Sequence, residues 1–211
     1  MYSVNKELII RSSSEAVDFA LLKDGKLIEL HKEQETSNFQ VGDIFIAKIR
    51  KPVAGLNAAF VNVGYEKDAF LHYHDLGPNL PSQISFIKLA SARNIKAFSL
   101  KIFQMGKEID KDGTITDVLN ANQSVLVQVV KEPISTKGPR ISAELSLAGR
   151  FIVLVPFSDR VSISQKIEDK KEKDRLKKLV QSIKPKGFGV IVRTVAEGKN
   201  TAELEKDLQN L

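Results

Sequence analysis

The sequence predicts an α+β chain, dominated by short strands over its first two-thirds and mixed in its last third. Three observations carry this. Residues 41–74, VGDIFIAKIRKPVAGLNAAFVNVGYEKDAFLHYH, alternate apolar and polar positions in three short runs broken by proline and glycine. Residues 6–35 hold further strand-like runs around an Asp-Gly turn signal. Residues 168–183 change to a helical period, with Leu176, Leu179, Val180 and Ile183 at i, i+3, i+4 and i+7.

In chain order, KELIIRS is the first strand. AVDFALLKDGKLIELHKE is a hairpin, because Asp24-Gly25 accepts the positive backbone dihedrals that its turn requires. Phe19, Leu21, Leu27 and Leu30 offer apolar surface that three strands alone bury poorly. This piece is expected either to pack on its neighbours or to stay partly uncovered. A polar linker, Glu35–Gln40, leads to strands at Ile44–Ile49, Ala58–Val63 and Ala69–His72. Successive side chains of a strand point to opposite faces. Ala59, Val61 and Val63 therefore share one face, and Ala58, Phe60 and Asn62 the other; Ala69 and Leu71 point one way, Phe70 and His72 the other. The aliphatic face suits a core. The second face sets flat rings beside hydrogen-bonding groups, which is what unstacked nucleic-acid bases need. The competing reading makes Phe60 and Phe70 ordinary core residues, since large apolar side chains are usually inside.

Residues 77–86, with two prolines and a glycine, read as loop. Residues 87–105 read as a helix on the spacing of Ile87, Ala90, Ile95 and Phe98, with Lys88, Arg93, Lys96 and Lys101 adding charge. Lys107–Gly113 reads as a turn. This excursion is either a solvated surface loop or a basic flap that extends a binding surface. Strands resume at Ser124–Val130 and Arg140–Leu147, around KEPISTKGPR, a loop with three basic residues. Arg150–Pro156 and Val161–Ile167 come next as strands, then Glu168–Ile183 as a helix whose lysine-rich side reads as a solvated face. Gly189–Thr194 reads as a strand. Asn200 caps a last helix, with Glu203 in capping-box spacing and Leu204, Leu208 and Leu211 as its apolar stripe.

A chain of 211 residues suffices for one or two domains with a sizeable core. The absence of cysteine excludes disulfides and thiolate metal sites within it and agrees with a reducing, cytoplasmic location. No apolar run approaches the ~18 residues of a membrane span, and MYSVNKELIIRSS lacks the apolar core of a secretory signal. A net charge of +6 favours a polyanionic partner, because basic groups release counterions from phosphates; a generically basic protein would carry the same charge. Arg193-Thr194, followed by Gly198-Lys199 and a capped helix start, suggests a phosphate site: an arginine fork, a hydroxyl and helix-terminal amides all favour an anion. The GKNT run is no nucleotide-binding loop, since Arg193 stands where that loop needs its first glycine. Asp110, Asp112 and Asp117 lack the spacing and terminal glutamate of a calcium loop.

GLNAAFVNVGYEKDAFLHYHDL resembles the start of an S1-type OB-fold as it occurs in the ribonuclease E/G family of bacterial endoribonucleases. Glu7-Leu8-Ile9-Ile10, VLVQVVKEP, TKGPRISAELSLAGRFIVLVP and GFGVIVRT resemble the same family in the same order, with a gap at about 77–117. The resemblance implies a split RNase H-like N-terminal hairpin (1–37), an S1-type OB-fold β-barrel with an insertion (38–147) and a small α/β 5′-sensor domain (148–211). It implies RNA contacts at Phe60, Phe70, His72 and, in the loop, Lys137. It also implies a pocket for the 5′-monophosphate of single-stranded RNA at Gly149, through its amide, with Val153, Arg193 and Thr194. Family members can carry two adjacent arginines where this chain has Gln165 and Lys166, which removes one charge. The family cleaves RNA with magnesium held by two aspartates on a DNase I-like subdomain, and shares a zinc ion between subunits of a homo-oligomer through a cysteine pair. Those motifs are expected beyond residue 211. The chain alone is therefore expected to hold no metal or cofactor and to lack a catalytic residue. It is read as part of a longer enzyme in rRNA processing and mRNA decay. The alternative is a free-standing, non-catalytic RNA-binding module, and a weaker third is a structural scaffold.

Overall fold

A computed structural model describes residues 5–14, 16–34, 39–92, 99–134 and 137–211. The chain divides into two compact units, Met1–Gln40 and Val41–Leu211. The first is an antiparallel meander of β1 (Lys6–Ser12), β2 (Ala16–Lys23) and β3 (Lys26–Gln34). Its turn forms as the sequence requires, with Asp24 at φ 49° and Gly25 at φ 75°. The sheet by itself does not bury its apolar side chains: Leu8, Ile9, Ile10, Leu27, Ile28 and Leu30 are all exposed.

The second unit opens with a closed five-stranded barrel, in the order β4-β5-β6-β8-β7. Its strands are β4 (Ile44–Val53), β5 (Ala58–Asn62), β6 (Ala69–His72), β7 (Ser124–Lys131) and β8 (Arg140–Ser142). Alternation fills the interior with Ile49, Val61, Leu71, Val127 and Ile141, each essentially buried. A bulge leaves Arg50 unpaired between Ile49 and Lys51, opposite Val61 and Phe60. Asn57 turns the chain from β4 to β5 at φ 44°; its amide side chain accepts from the Ile115 N–H and donates to the Gly113 carbonyl.

The inserted segment departs from expectation. A helix, α1 (Leu80–Ser91), begins inside the stretch read as loop. Pro81 does not break it, because the first turn of a helix has no use for that N–H. Leu80, Ile84 and Ile87 are buried beneath it. Gln83, also buried, donates to the Ala143 carbonyl and accepts from the Leu126 amide, which seats the helix on β7. Residues 93–98, where the helix was expected to continue, lie outside the described residues, and 99–105 are not helical. A single further turn, α2 (Ile115–Val118), plugs Ile115 into the core. The insertion is not a purely solvated excursion. It ties the barrel to the C-terminal part of the same unit: Phe86, Phe103 and Phe157 meet edge to face at 5.4–6.5 Å, and Arg160 donates twice to Glu108.

The last part is a four-stranded mixed sheet, in the order β11-β12-β10-β9, with two helices on one face. It holds β9 (Leu147–Ala148), β10 (Ile152–Pro156), β11 (Val161–Ile163), α3 (Lys170–Ile183), β12 (Phe188–Val192) and α4 (Thr201–Gln209). The strand expected over Arg140–Leu147 is two strands: β8 ends at Ser142, and Leu147 joins the second sheet, pairing with Leu154. Ile152, Leu154, Val190 and Val192 face Leu176, Val180 and Leu204 in one core. The capping box at Asn200 and Glu203 is present in both directions.

Candidate nucleic-acid interface

On the barrel, β5 and β6 pair Phe60 directly opposite Phe70. Phe60 is 37% exposed although Ala59 and Val61 beside it are fully buried, so this ring is not a core ring. Its centroid lies 6.2 Å from Phe70, edge to face. Phe70 lies 6.5 Å from His72, and His72 lies 5.0 Å from His74. The result is a row of four rings along one side of the barrel. His72 Nδ1 accepts from the His74 amide, which leaves Nε2 as the donor of the neutral ring. Behind the row, Tyr73 is buried and donates to the Asp110 carbonyl. Burial, and then Asp110, raise its pKa above the ordinary phenol value.

The loop bearing Lys137 is held against this row. Phe70 N–H donates to the Pro139 carbonyl, and Gly138 leaves no room for a side chain against the Asp68 carbonyl. Lys137 is exposed two residues from Pro139. The basic residues beside the rings are partly neutralised. Arg140 grips Asp75 with two nitrogens at 2.9–3.3 Å, and Arg50 lies 3.1 Å from Asp68.

On the α/β sheet, Gly149, Val153, Arg193 and Thr194 gather near one sheet end. Arg193 follows β12, and its Nη1 donates to the Gly149 carbonyl at 2.7 Å. Among the described residues it has no carboxylate partner, unlike Arg50, Arg140, Arg160 and Arg175. Thr194 shares a 2.8 Å hydrogen bond with Ser164, hydroxyl to hydroxyl. Val153 is half-buried and pairs across the sheet with Ala148 and Ile191. Ser164, Lys166, Ile191, Arg193 and Thr194 line an open depression whose charged groups are both cationic.

Two anion-binding features expected from sequence are already filled from within. The Gly149 amide donates to the Ile152 carbonyl at 2.8 Å. The next three amides, of Arg150, Phe151 and Ile152, all donate to the Asp207 carboxylate of α4 at 2.8–3.0 Å. A side chain at position 149 would stand 2.6 Å from that carboxylate, so glycine is needed for the close approach. Likewise the Gly198 amide donates to Glu172, and the Asn200 amide to Glu203. The hydrogen bonds from Arg175, and then from Gly198, hold the Glu172 pKa down to about 2. Two carboxylates thus occupy the Gly198–Asn200 turn, and an incoming phosphate would be repelled there.

Residues 146–211 match the ribonuclease E/G family. Ribonuclease G of Escherichia coli (strain K12) is 32% identical over 201 residues, which is 95% of this chain and 37% of that protein. The chain belongs to the ribonuclease E/G family. Ribonuclease G of Haemophilus influenzae is 32% identical over 205 residues, 97% of this chain and 38% of that protein. Ribonuclease E of Nostoc sp. is 37% identical over 177 residues, 83% of this chain and 22% of that protein. The chain therefore spans little more than a third of the length of its ribonuclease G relatives. The span matched to the family holds the whole second sheet, with Gly149, Val153, Arg193 and Thr194.

Asp207, Asp75, Glu172 and His74 were not singled out from sequence. Only His74 had a local signal, two residues after His72. The acids reach partners 26 to 65 residues away, which no short-range pattern reveals, although Glu172 also pairs with Arg175 three residues on. Among the described residues no three His, Asp or Glu side chains are placed to hold a metal, and no helix is long and apolar enough to cross a membrane.

Proposed function

We propose that this chain is the RNA-binding and 5′-monophosphate-sensing portion of a bacterial endoribonuclease that cleaves single-stranded RNA. The processes it serves are rRNA processing and mRNA decay in the cytoplasm. Residues 1–37 are strands of an RNase H-like subdomain, 38–147 an S1-type OB-fold and 148–211 the 5′ sensor. Cleavage belongs to a magnesium-dependent DNase I-like subdomain of a homo-oligomeric parent enzyme. No catalytic or metal-binding residue is assigned to this chain.

In this proposal bases stack on Phe60 and Phe70, His72 donates between them, and Lys137 meets a phosphate at the edge of the row. The 5′ phosphate sits in the depression at Arg193. One observation carries this most directly: Arg193 is unpaired with any carboxylate among the described residues, yet held by the Gly149 carbonyl through Nη1 alone. Its remaining N–H groups suit a terminal phosphate, and the Thr194 hydroxyl adds a donor. Gly149 then acts through its carbonyl, which orients the guanidinium, rather than through its amide. Val153 closes the far side and limits the room for further phosphates.

The test is a titration of wild type and Arg193→Ala with matched short RNAs bearing a 5′-monophosphate or a 5′-hydroxyl. Wild type is expected to prefer the monophosphate by about 1.5–3 kcal/mol, the scale of hydrogen bonds to a charged group. The variant is expected to lose that preference and keep its affinity for the 5′-hydroxyl RNA. Equal affinity of the wild type for both ends would remove the sensor from this proposal.

A further inference from the structure

One short stretch of the chain carries a surplus equal to the whole net charge of +6. Residues 170–186 hold eight lysines and arginines against two acids, a balance of +6, so the remaining residues sum to zero. That stretch is α3 and the three residues after it. One side of α3 is committed to the core through Leu176 and Val180, with Leu179 and Ile183 packed beside them. At 3.6 residues per turn the opposite side carries Lys170 and Lys177 in one row, and Lys171 and Lys178 in the next. Members of a row are seven residues, about 10 Å, apart along the axis. All four are exposed. Among the described residues none of the four has an ion pair, whereas Arg175 is taken by Glu172 and Lys184 by Asp159.

The arrangement works against the helix. Lys170, Lys171 and Lys173 stand in its first turn, where the macrodipole favours anions, and its last turn has no basic residue. Lys173 and Lys177 are a like-charge pair at i, i+4. Helix stability does not account for cations placed at this end.

We propose that the exposed face of α3 is a phosphate track for the base-paired part of a structured RNA. The proposal rests on the reading that this chain binds RNA. The exposed face of α3 carries four lysines around one acid, Asp174, so its cations outnumber its anions, and α3 contains no aromatic residue on which an unstacked base could lie. Lysine meets phosphate as a point charge and reads no sequence. A duplex offers rigid rows of phosphates with its bases stacked away, which matches rigid rows of lysines on a helix. The track also starts near the depression: Lys166 lines it beside Arg193, and Lys170 stands four residues later, no more than about 14 Å along the chain. A stem next to a short 5′ single strand can then lie on α3 while its 5′ end reaches Arg193.

The experiment replaces Lys170, Lys171, Lys177 and Lys178 together by glutamine, and in a second variant by arginine. Binding is measured over a range of salt to three probes: a hairpin RNA with a 5′-monophosphorylated single-stranded tail, the same tail alone, and phosphatidylglycerol vesicles. The glutamine variant is expected to bind the hairpin at least about 10-fold more weakly than wild type, with the log–log salt slope reduced by roughly 0.9 for every phosphate left without a lysine. The tail alone is expected to change by less than about 2-fold, and the arginine variant to bind like wild type, because charge and not shape is used. Unchanged hairpin affinity overturns the proposal while leaving the 5′-end preference to be judged by Arg193. Equal weakening of hairpin and tail overturns it too, as would vesicle binding lost while hairpin binding persists. A wild type that binds neither RNA overturns the track together with the functional reading beneath it.

Discussion

The barrel face and the α/β sheet leave different groups exposed once their acids have found partners. On the barrel, acids are set against arginines: Asp68 takes Arg50, and Asp75 takes Arg140. What remains exposed there is a row of rings with Lys137 beside it. On the sheet, acids also serve the backbone: Asp207 collects three amides, and Glu172 and Glu203 each take one besides pairing with Arg175 and Lys199. What remains there is cationic side chain, at Lys166, Arg193 and the outer face of α3. Composition alone misplaces the basic surface, because a chain-wide charge does not say which cations are already neutralised. A ring needs little charge to hold a base, whereas a phosphate needs a cation with no resident partner.

The largest blow to this contrast is expected from Asp207→Ala. Three amides, two of them on half- or fully buried residues, lose one charged acceptor, at an expected cost of about 3 kcal/mol in unfolding free energy. The Gly149–Ile152 turn would relax, and with it the carbonyl that orients Arg193. Chemical denaturation reads the stability and the matched 5′-phosphate and 5′-hydroxyl RNAs read the pocket. A stable variant with full 5′ preference would show that the carboxylate is incidental to the turn.

Next in size is Phe60→Ala, expected to weaken single-stranded RNA binding by about 1–3 kcal/mol with little change in melting temperature. A large fall in melting temperature with RNA affinity intact would return the ring to the core and erase the contrast. The smallest effect is expected from Asp75→Asn. Freeing Arg140 on an exposed face should tighten RNA binding by under about 1 kcal/mol and steepen the salt slope by roughly 0.7. A flat response would mean that Arg140 does not reach a phosphate even when released.

The parts of this picture that were legible in the sequence are those with short-range causes. The barrel strands show in their alternation, the Asp24-Gly25 hairpin in its turn chemistry, and α4 in a capping box that spans four residues. The start of α1 was missed because Pro81 was weighed as a breaker, although Leu80, Ile84 and Ile87 already mark its buried side. The exchange of Leu147 from barrel to second sheet is set by a partner, Leu154, that alternation cannot name. Within the candidate site, Arg193-Thr194 stood out as a dipeptide, but the filling of the neighbouring amides did not. Asp207 lies 55 to 57 residues from the amides it accepts, and only folding brings it there.

The insertion has a thermodynamic consequence. Phe103 and Glu108 clasp Phe157 and Arg160, so barrel and sheet belong to one compact unit rather than to two beads on a flexible string. For a ligand that touches both, the second contact forms at an effective concentration set by geometry. With a flexible joint that concentration would be averaged over many separations and would favour no particular RNA. With a clasped one it peaks for a strand whose length fits between the rings and Arg193, and falls away for a shorter one that cannot bridge them. Affinity plotted against oligonucleotide length should then rise in a step rather than a slope, and the step should blur when the Phe103 and Glu108 contacts are cut.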